Sequence, residues 1–176
     1  MELKEVIEKR RSIRKFSDKK FDIGRLINLL YLANLAPSAG NLQAREFIIV
    51  DKKEIKEKIA RAAFQQDFIS RAPFIVVFCA NERRILPYGK RGKLYCIEDT
   101  SASVENFLLA ACNEGLATCW IGAFDEDEVS EILNLPHYIK PVAIVPVGYA
   151  DEKPEEKDLR KIEEMVHYNG WSHSPT

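Results

Sequence analysis

Glu98 to Phe124 reads EDTSASVENFLLAACNEGLATCWIGAF, and this stretch decides the fold. Its segment Ala102 to Ala111 (ASVENFLLAA) is small and apolar nearly all round, the pattern of a central, buried helix. The spacing predicts a helix from about Tyr95 to Glu114, with Gly115 supplying its C-terminal cap. Ala117 to Ile121 then reads as a strand. Helix and strand in such quick succession imply helices layered on a sheet.

Working upstream, Phe74 to Ala80 (FIVVFCA) is β-branched and aromatic on both faces, as a central buried strand requires. Before it come a helix across Lys53 to Ala63 and a short strand at Phe47 to Val50. Asp22 is a plausible N-cap for a helix in which Ile23, Leu26, Ile27 and Leu30 recur at helical spacing, and Pro37 forbids its continuation. A short helix, Glu2 to Lys9, opens the chain. Downstream, Asp125 and Glu128 form a capping box for a helix around Val129 to Leu133. Val142 to Val147 is a further strand, which Pro146 is expected to place at an edge or a bulge. No repeat or linker divides the 176 residues. Residues 1–176 read as one α/β or α+β domain around one sheet, with a C-terminal arm at 151–176 that is polar until its apolar, aromatic end. Such an end needs a surface, on its own domain or on a second copy.

Composition removes several function classes. Charged residues make up 30%, and the net charge of -1 predicts no general attraction to nucleic acid or anionic lipid. No apolar run approaches the roughly 18 residues that cross a bilayer, and the charged start ELKEVIEKRR is no secretory signal, so the cytoplasm is the expected location. Cys79, Cys96, Cys112 and Cys119 lack zinc-ligand spacing and read as small hydrophobes, three of them in strongly apolar surroundings. The fingerprints of dinucleotide-binding, P-loop, serine-hydrolase and zinc-protease sites are absent. His137, His167 and His173 are too scattered for a metal site.

Three segments could carry chemistry. In KRRSIRKF (Lys9 to Phe16), extended chain would send Arg10, Ser12 and Arg14 to one side, a row of roughly 13 Å at about 3.3 Å per residue. Such a row suits a long anionic ligand, with Arg forks and a hydroxyl for phosphate. A solvated basic turn is the plainer alternative. PSAGNLQ (Pro37 to Gln43) gathers Ser38, Asn41 and Gln43, whose hydroxyl and amides match the alternating donors and acceptors of a heterocycle; an ordinary loop would look the same. TCWIGAF (Thr118 to Phe124) brings bare backbone at Gly122 close to a neighbour and offers Trp120 as a flat wall, although core packing would also account for it.

Taken in order, RRSIRKF, PSAGNLQ, QQDFISRAPFIVVF, EDTSASVENFLLAACNEGLATCWIGAF, PVAIVPVGYA and EEMVHYNGW resemble the nitroreductase family of FMN enzymes over nearly the whole chain. The resemblance implies an α+β fold with a central mixed β-sheet flanked by helices, in an interlocked homodimer with two interfacial FMN sites. It implies that Arg10, Arg11 and Ser12 hold the phosphate and ribityl chain, and that Arg14 lies near the N1/O2 edge of the ring and tunes it. It brings Ser38, Asn41 and Gln43 from the second subunit, and puts the Gln66 amide against the ring or ribityl. Trp120, Ile121 and Gly122 would run beside N5, and Arg160 with Lys161 would complete the phosphate clamp. NAD(P)H would deliver hydride to the flavin in transit, and nitroaromatics, quinones or similar small acceptors would then remove the electrons by a ping-pong mechanism. No acid, base, nucleophile or metal is needed from the protein.

The chain is shorter than the better-known members, and only Asn81 to Lys93 fills the place of their added helices. That loop, with Tyr88 and its Arg and Lys neighbours, is expected to form a small lid that selects anionic acceptors. Two alternatives accompany this reading. One keeps FMN but changes the reaction to dehalogenation, dehydrogenation or flavin breakdown. The other is a flavin-holding or nucleic-acid-binding module without turnover.

Overall fold

Side chains alternate across a strand, so Val76 and Phe78 point to one face of the sheet while Ile75, Val77 and Cys79 point to the other. That alternation divides the interior into two cores. The computed structural model describes residues 1–171; the last positions of the expected arm, 172–176, lie outside the described residues. The helices are α1 (Leu3–Lys9), α2 (Ile23–Asn34), α3 (Lys53–Ala62), α4 (Phe68–Arg71), α5 (Gly92–Asn113) and α6 (Glu126–Ile132). The strands are β1 (Arg45–Val50), β2 (Phe74–Asn81), β3 (Ala117–Thr118) and β4 (Ile139–Gly148). Helices α2 and α5 cover one face through Leu26, Leu29, Val104 and Phe107. Helices α3, α4 and α6 cover the other through Ile59, Ile69 and Val129. Phe78 is held edge-on between Phe47 and Phe107, each ring 5.3 Å away.

The strand order is β1-β2-β4-β3, and every ladder is antiparallel. The expected mixed character shrinks, among the described residues, to one parallel bridge between Ser12 and Thr118, where the Ile13 amide donates to the Thr118 carbonyl at 2.9 Å. The N-terminal segment touches the sheet there without becoming a full strand.

Pro146 was expected at an edge or a bulge, but it lies inside β4, between β2 and β3. The bulge falls at Val142, which is skipped between the Phe78–Ala143 and Cys79–Pro141 pairs. Proline is tolerated for a local reason. Ala117 pairs with Gly148 and Ile121 with Ile144, a register that sets Pro146 opposite Cys119. A hydrogen-bonded antiparallel pair exchanges two N–H···O bonds, and proline has no N–H to give. Strand β3 stops at Thr118, so the expected strand to Ile121 survives as two residues and an isolated bridge.

The expected N-caps form: Asp22 accepts from the Gly24 amide at 2.7 Å and Asp125 from the Glu128 amide at 2.8 Å, but the reciprocal half of the Asp125–Glu128 box does not, because the Asp125 amide donates to the Ala62 carbonyl at 2.8 Å. Gly115, at φ +71°, follows the end of α5. That helix was expected to be buried all round, yet Leu94 and Ile97 lie exposed on its outer side. Along α2 and onto its C-cap the exposed residues Ile23, Ile27, Tyr31 and Leu35 repeat at four-residue intervals, an exposed apolar stripe. Cys79, Cys96 and Cys119 are buried and Cys112 is half-buried; burial pushes the Cys79 thiol up to about 12 and that of Cys96 up to about 11. Among the described residues no helix is long and apolar enough to cross a membrane, and no cluster of potential metal ligands occurs.

Candidate functional site

The N-terminal row takes its direction from Ile13 and Phe16, which are buried and anchor the segment beside β3 and the start of the arm. Ser12 and Arg14 therefore face outward. Arg10, Arg11, Ser12 and Arg14 line one side of a cleft of about 460 Å³, and residues 152–159 of the arm line the other. The arm is tied down there by Glu152, whose Oε1 accepts from the Arg14 and Lys15 amides at 2.6 and 3.1 Å.

The basic residues of this cleft have different tasks. Arg11 donates to the Glu155 carbonyl at 3.0 Å and also to the carbonyls of Glu8 and Arg10, so its fork is committed to holding backbone. Arg10 is the less occupied cation, with Glu105 at 3.9 Å. Lys157 reaches the Ile7 carbonyl at 3.1 Å. Desolvation, followed by repulsion from Arg10 and Arg11, lowers its pKa. Three cations gathered in one place, one of them destabilised by the others, suit a phosphate dianion. Lys157 was missed in the sequence because nothing local distinguishes it from the arm's other charges. Arg160, expected in the clamp with Lys161, instead pairs with Glu164 at 3.5 Å, and both Arg160 and Lys161 are exposed on the arm.

Beyond the end of β3 the backbone at Gly122 faces open space: the nearest atom to a Cβ built there is Trp120 Nε1 at 4.0 Å. Gly122 lines a second cavity of about 480 Å³ with Phe124, Lys93, Lys140, Glu82 and Glu126 among its walls. Gln66 was expected to face a ligand, but its amide nitrogen donates to Ala63 at 2.8 Å and Ala123 at 3.2 Å. It tethers the segment that follows Trp120, Ile121 and Gly122. Ser12 also lies beside this segment, through its bridge to Thr118.

Ser38, Asn41 and Gln43 lie elsewhere on the same chain. Asp99 of α5 accepts from the Ala39 amide at 2.9 Å, whereas Arg10 meets Glu105 of the same helix. Six residues of helix separate those anchors by roughly 9 Å. The loop is wound tightly, with φ of +54° at Gly40, +55° at Asn41 and +51° at Gln43. Left-handed non-glycine residues cost on the order of 1–3 kcal/mol each and persist only where surrounding contacts impose them. Ser38 Oγ accepts from the Gln43 amide at 3.0 Å, and the Gln43 amide group donates to the Asn41 carbonyl at 3.3 Å.

The segment at 81–93 contains a 3-10 turn, Leu86–Arg91, that packs on this loop. Arg84 donates to the Leu42 carbonyl at 2.8 Å, Arg83 stacks over Tyr138 at 3.6 Å and Arg91 donates to the Tyr95 hydroxyl at 2.8 Å. Three of its cations therefore serve the fold.

A model of the nitroreductase family matches residues 7–66 and 60–149. A protein of Archaeoglobus fulgidus with the provisional name NADH dehydrogenase/NAD(P)H nitroreductase is 32% identical over 173 residues, covering 94% of this chain and 97% of that protein. The FMN reductase [NAD(P)H] of Bacillus subtilis is 28% identical, covering 89% and 69%. Among solved structures, NfrA2 of B. megaterium superposes with a TM-score of 0.93 at 29% identity, over 98% of this chain and 76% of that one.

Proposed function

The chain belongs to the nitroreductase family, and from that premise we propose an FMN-dependent oxidoreductase that draws hydride from NAD(P)H and passes electrons to nitroaromatics, quinones or similar small acceptors. The observation that carries this reading is the convergence of Arg10, Arg11 and Lys157 on the cleft that Ser12 and Arg14 line.

Bound FMN supplies the hydride chemistry. Arg10 and Lys157 hold its phosphate, and Arg11 fixes the backbone that presents them. Arg14 would place its positive charge near the N1 edge and so favour the anionic reduced ring. Trp120, Ile121 and Gly122 run beside the ring. Arg160 and Lys161, exposed on the arm directly after the residues that line the cleft, complete the clamp from there. Residues 1–176 form one domain that works in pairs. The α2 stripe and the arm residues Leu159, Ile162, Met165 and Val166, all exposed in the single chain, meet a second copy, and the loop of Ser38, Asn41 and Gln43 completes that copy's site. The turn at 81–93 acts as a lid through Tyr88. Its arginines are engaged within the fold and Lys140 pairs with Glu126 at 3.8 Å, so selection of acceptor charge passes to Lys93, which lines the cavity with Gly122.

The test is spectroscopic. Purified protein should be yellow, bleach anaerobically with NADH or NADPH, and recover its colour with a quinone or nitro compound. A protein that stays colourless in excess FMN removes the reading.

A further inference from the structure

We propose that Arg45 and Asp99 are positioning residues that impose the left-handed geometry of the loop Ser38–Gln43 and thereby set how tightly the cofactor is held; the inference rests on the FMN reading above. Arg45 begins β1 and is 5% exposed. Its Nε donates to Asn34 Oδ1 at 3.2 Å. Nη1 donates to the Pro37 and Asp99 carbonyls, both at 3.2 Å. Nη2 donates to the carbonyls of Asn34 at 2.8 Å and Ala36 at 2.7 Å. A guanidinium has five N–H donors, and all are satisfied here.

Four of those acceptors are backbone carbonyls, three of them from the residues that end α2 and lead into Ser38. Arg45 thus joins α2, α5 and β1 at the entrance of the loop. It also holds the loop's exit, since its own amide donates to the Gln43 carbonyl at 2.8 Å. Asp99 fixes the middle: Oδ1 accepts from the Ala39 amide at 2.9 Å. Between these anchors lie the three residues with positive φ. The pair leaves the phosphate cleft untouched, because its contacts fall on the loop that serves the second copy. Lysine cannot replace this fork, as its three donors leave one nitrogen.

A guanidinium that merely capped α2 would affect folding stability alone. Positioning predicts a loss of FMN affinity in protein that remains folded. The experiment compares full-length wild type with Arg45→Lys, Arg45→Ala and Asp99→Leu. FMN binding is read by quenching of flavin fluorescence, and thermal unfolding is followed in the same samples. The Kd for FMN is expected to rise about tenfold or more in both Arg45 variants at temperatures where they are folded. Millimolar methylguanidinium should restore much of the affinity of Arg45→Ala and leave Arg45→Lys unchanged. Asp99→Leu keeps all five guanidinium bonds and loses the Ala39 anchor; it should weaken FMN as well, and it decides the matter if the Arg45 variants fail to fold. Folded Arg45→Lys and Asp99→Leu that bind FMN within about twofold of wild type overturn the inference. Wild type that takes up no FMN instead sinks the functional reading, and this inference with it.

Discussion

The phenol oxygen of Tyr88 lies 2.5 Å from the point where a Cβ on Gly40 would stand. The turn Leu86–Arg91 therefore rests on the loop Ser38–Gln43 at a residue that is both left-handed and bare. Gly40→Ala should cost about 1–2 kcal/mol for the backbone conformation, plus the displacement of Tyr88. Tyr88→Phe removes the obstructing oxygen, so the double variant should recover on the order of 0.5–1 kcal/mol of that loss. Urea denaturation of the four proteins measures the coupling, and strictly additive losses would uncouple the two residues.

Arg10→Ala and Lys157→Ala should each weaken FMN retention by about 1.5–3 kcal/mol, the scale of a hydrogen bond to a charged group. Arg160→Ala tests the arm's separate contribution on the same scale. Equilibrium dialysis gives the affinities, and unchanged flavin content in the first two variants would dismantle the phosphate clamp.

Arg14→Ala should act on potential more than on binding. Removing a cation from the N1 edge disfavours the anionic reduced ring, so the midpoint should fall by on the order of 30 mV, equivalent to about 1.4 kcal/mol for two electrons. Spectroelectrochemical titration reads this directly, and an unmoved midpoint takes the role from Arg14.

Ile27→Asp interrupts the exposed stripe of α2. In a two-fold interface the change is made twice, each copy losing about 1.5–3 kcal/mol of apolar burial before the cost of the carboxylate is added. Sedimentation velocity should show monomers that retain little flavin. Dimers of undiminished stability would move the interface elsewhere.

The Cys79 thiol yields an alkaline prediction. Its pKa is raised to about 12 by burial, whereas an exposed thiol ionises near 9.0. Unfolding between those values releases a proton, so the contribution is constant below 9.0 and stability falls as pH rises above it. The slope is about 1.4 kcal/mol per pH unit for one such group. Cys79→Ala should be less stable at neutral pH and show a shallower alkaline decline in its urea midpoint. Parallel declines would disprove the linkage.

Elements governed by local chemistry were readable from the chain. Asp22 and Asp125 cap the helices their side chains predict, and FIVVFCA forms the interior strand its composition requires. Reading failed where a distant partner decides the outcome. Pro146 is admitted to an inner strand because the bond it cannot give falls at Cys119, where the ladder is interrupted between Thr118 and Ile121. The outer side of α5 looks like core in sequence, and in the single chain it carries exposed Leu94 and Ile97. Within the site, the alternation of Arg10, Ser12 and Arg14 was visible because extended chain has period two. Lys157 was not, since its position depends on the arm returning to Ile7. Arg45 lay just outside the expected strand, where an arginine ordinarily reaches for water, and its five acceptors come from residues brought together only by folding.

The bond that cannot form at Pro146 has a consequence for the rim of the molecule. With a donor there, Cys119 and Trp120 could zip onto β4 and seal the edge as one uninterrupted ribbon. The missing rung breaks the ladder between Thr118 and Ile121, so this rim is held by two short contacts with a gap between them, and the chain is free to turn away from the sheet at Gly122.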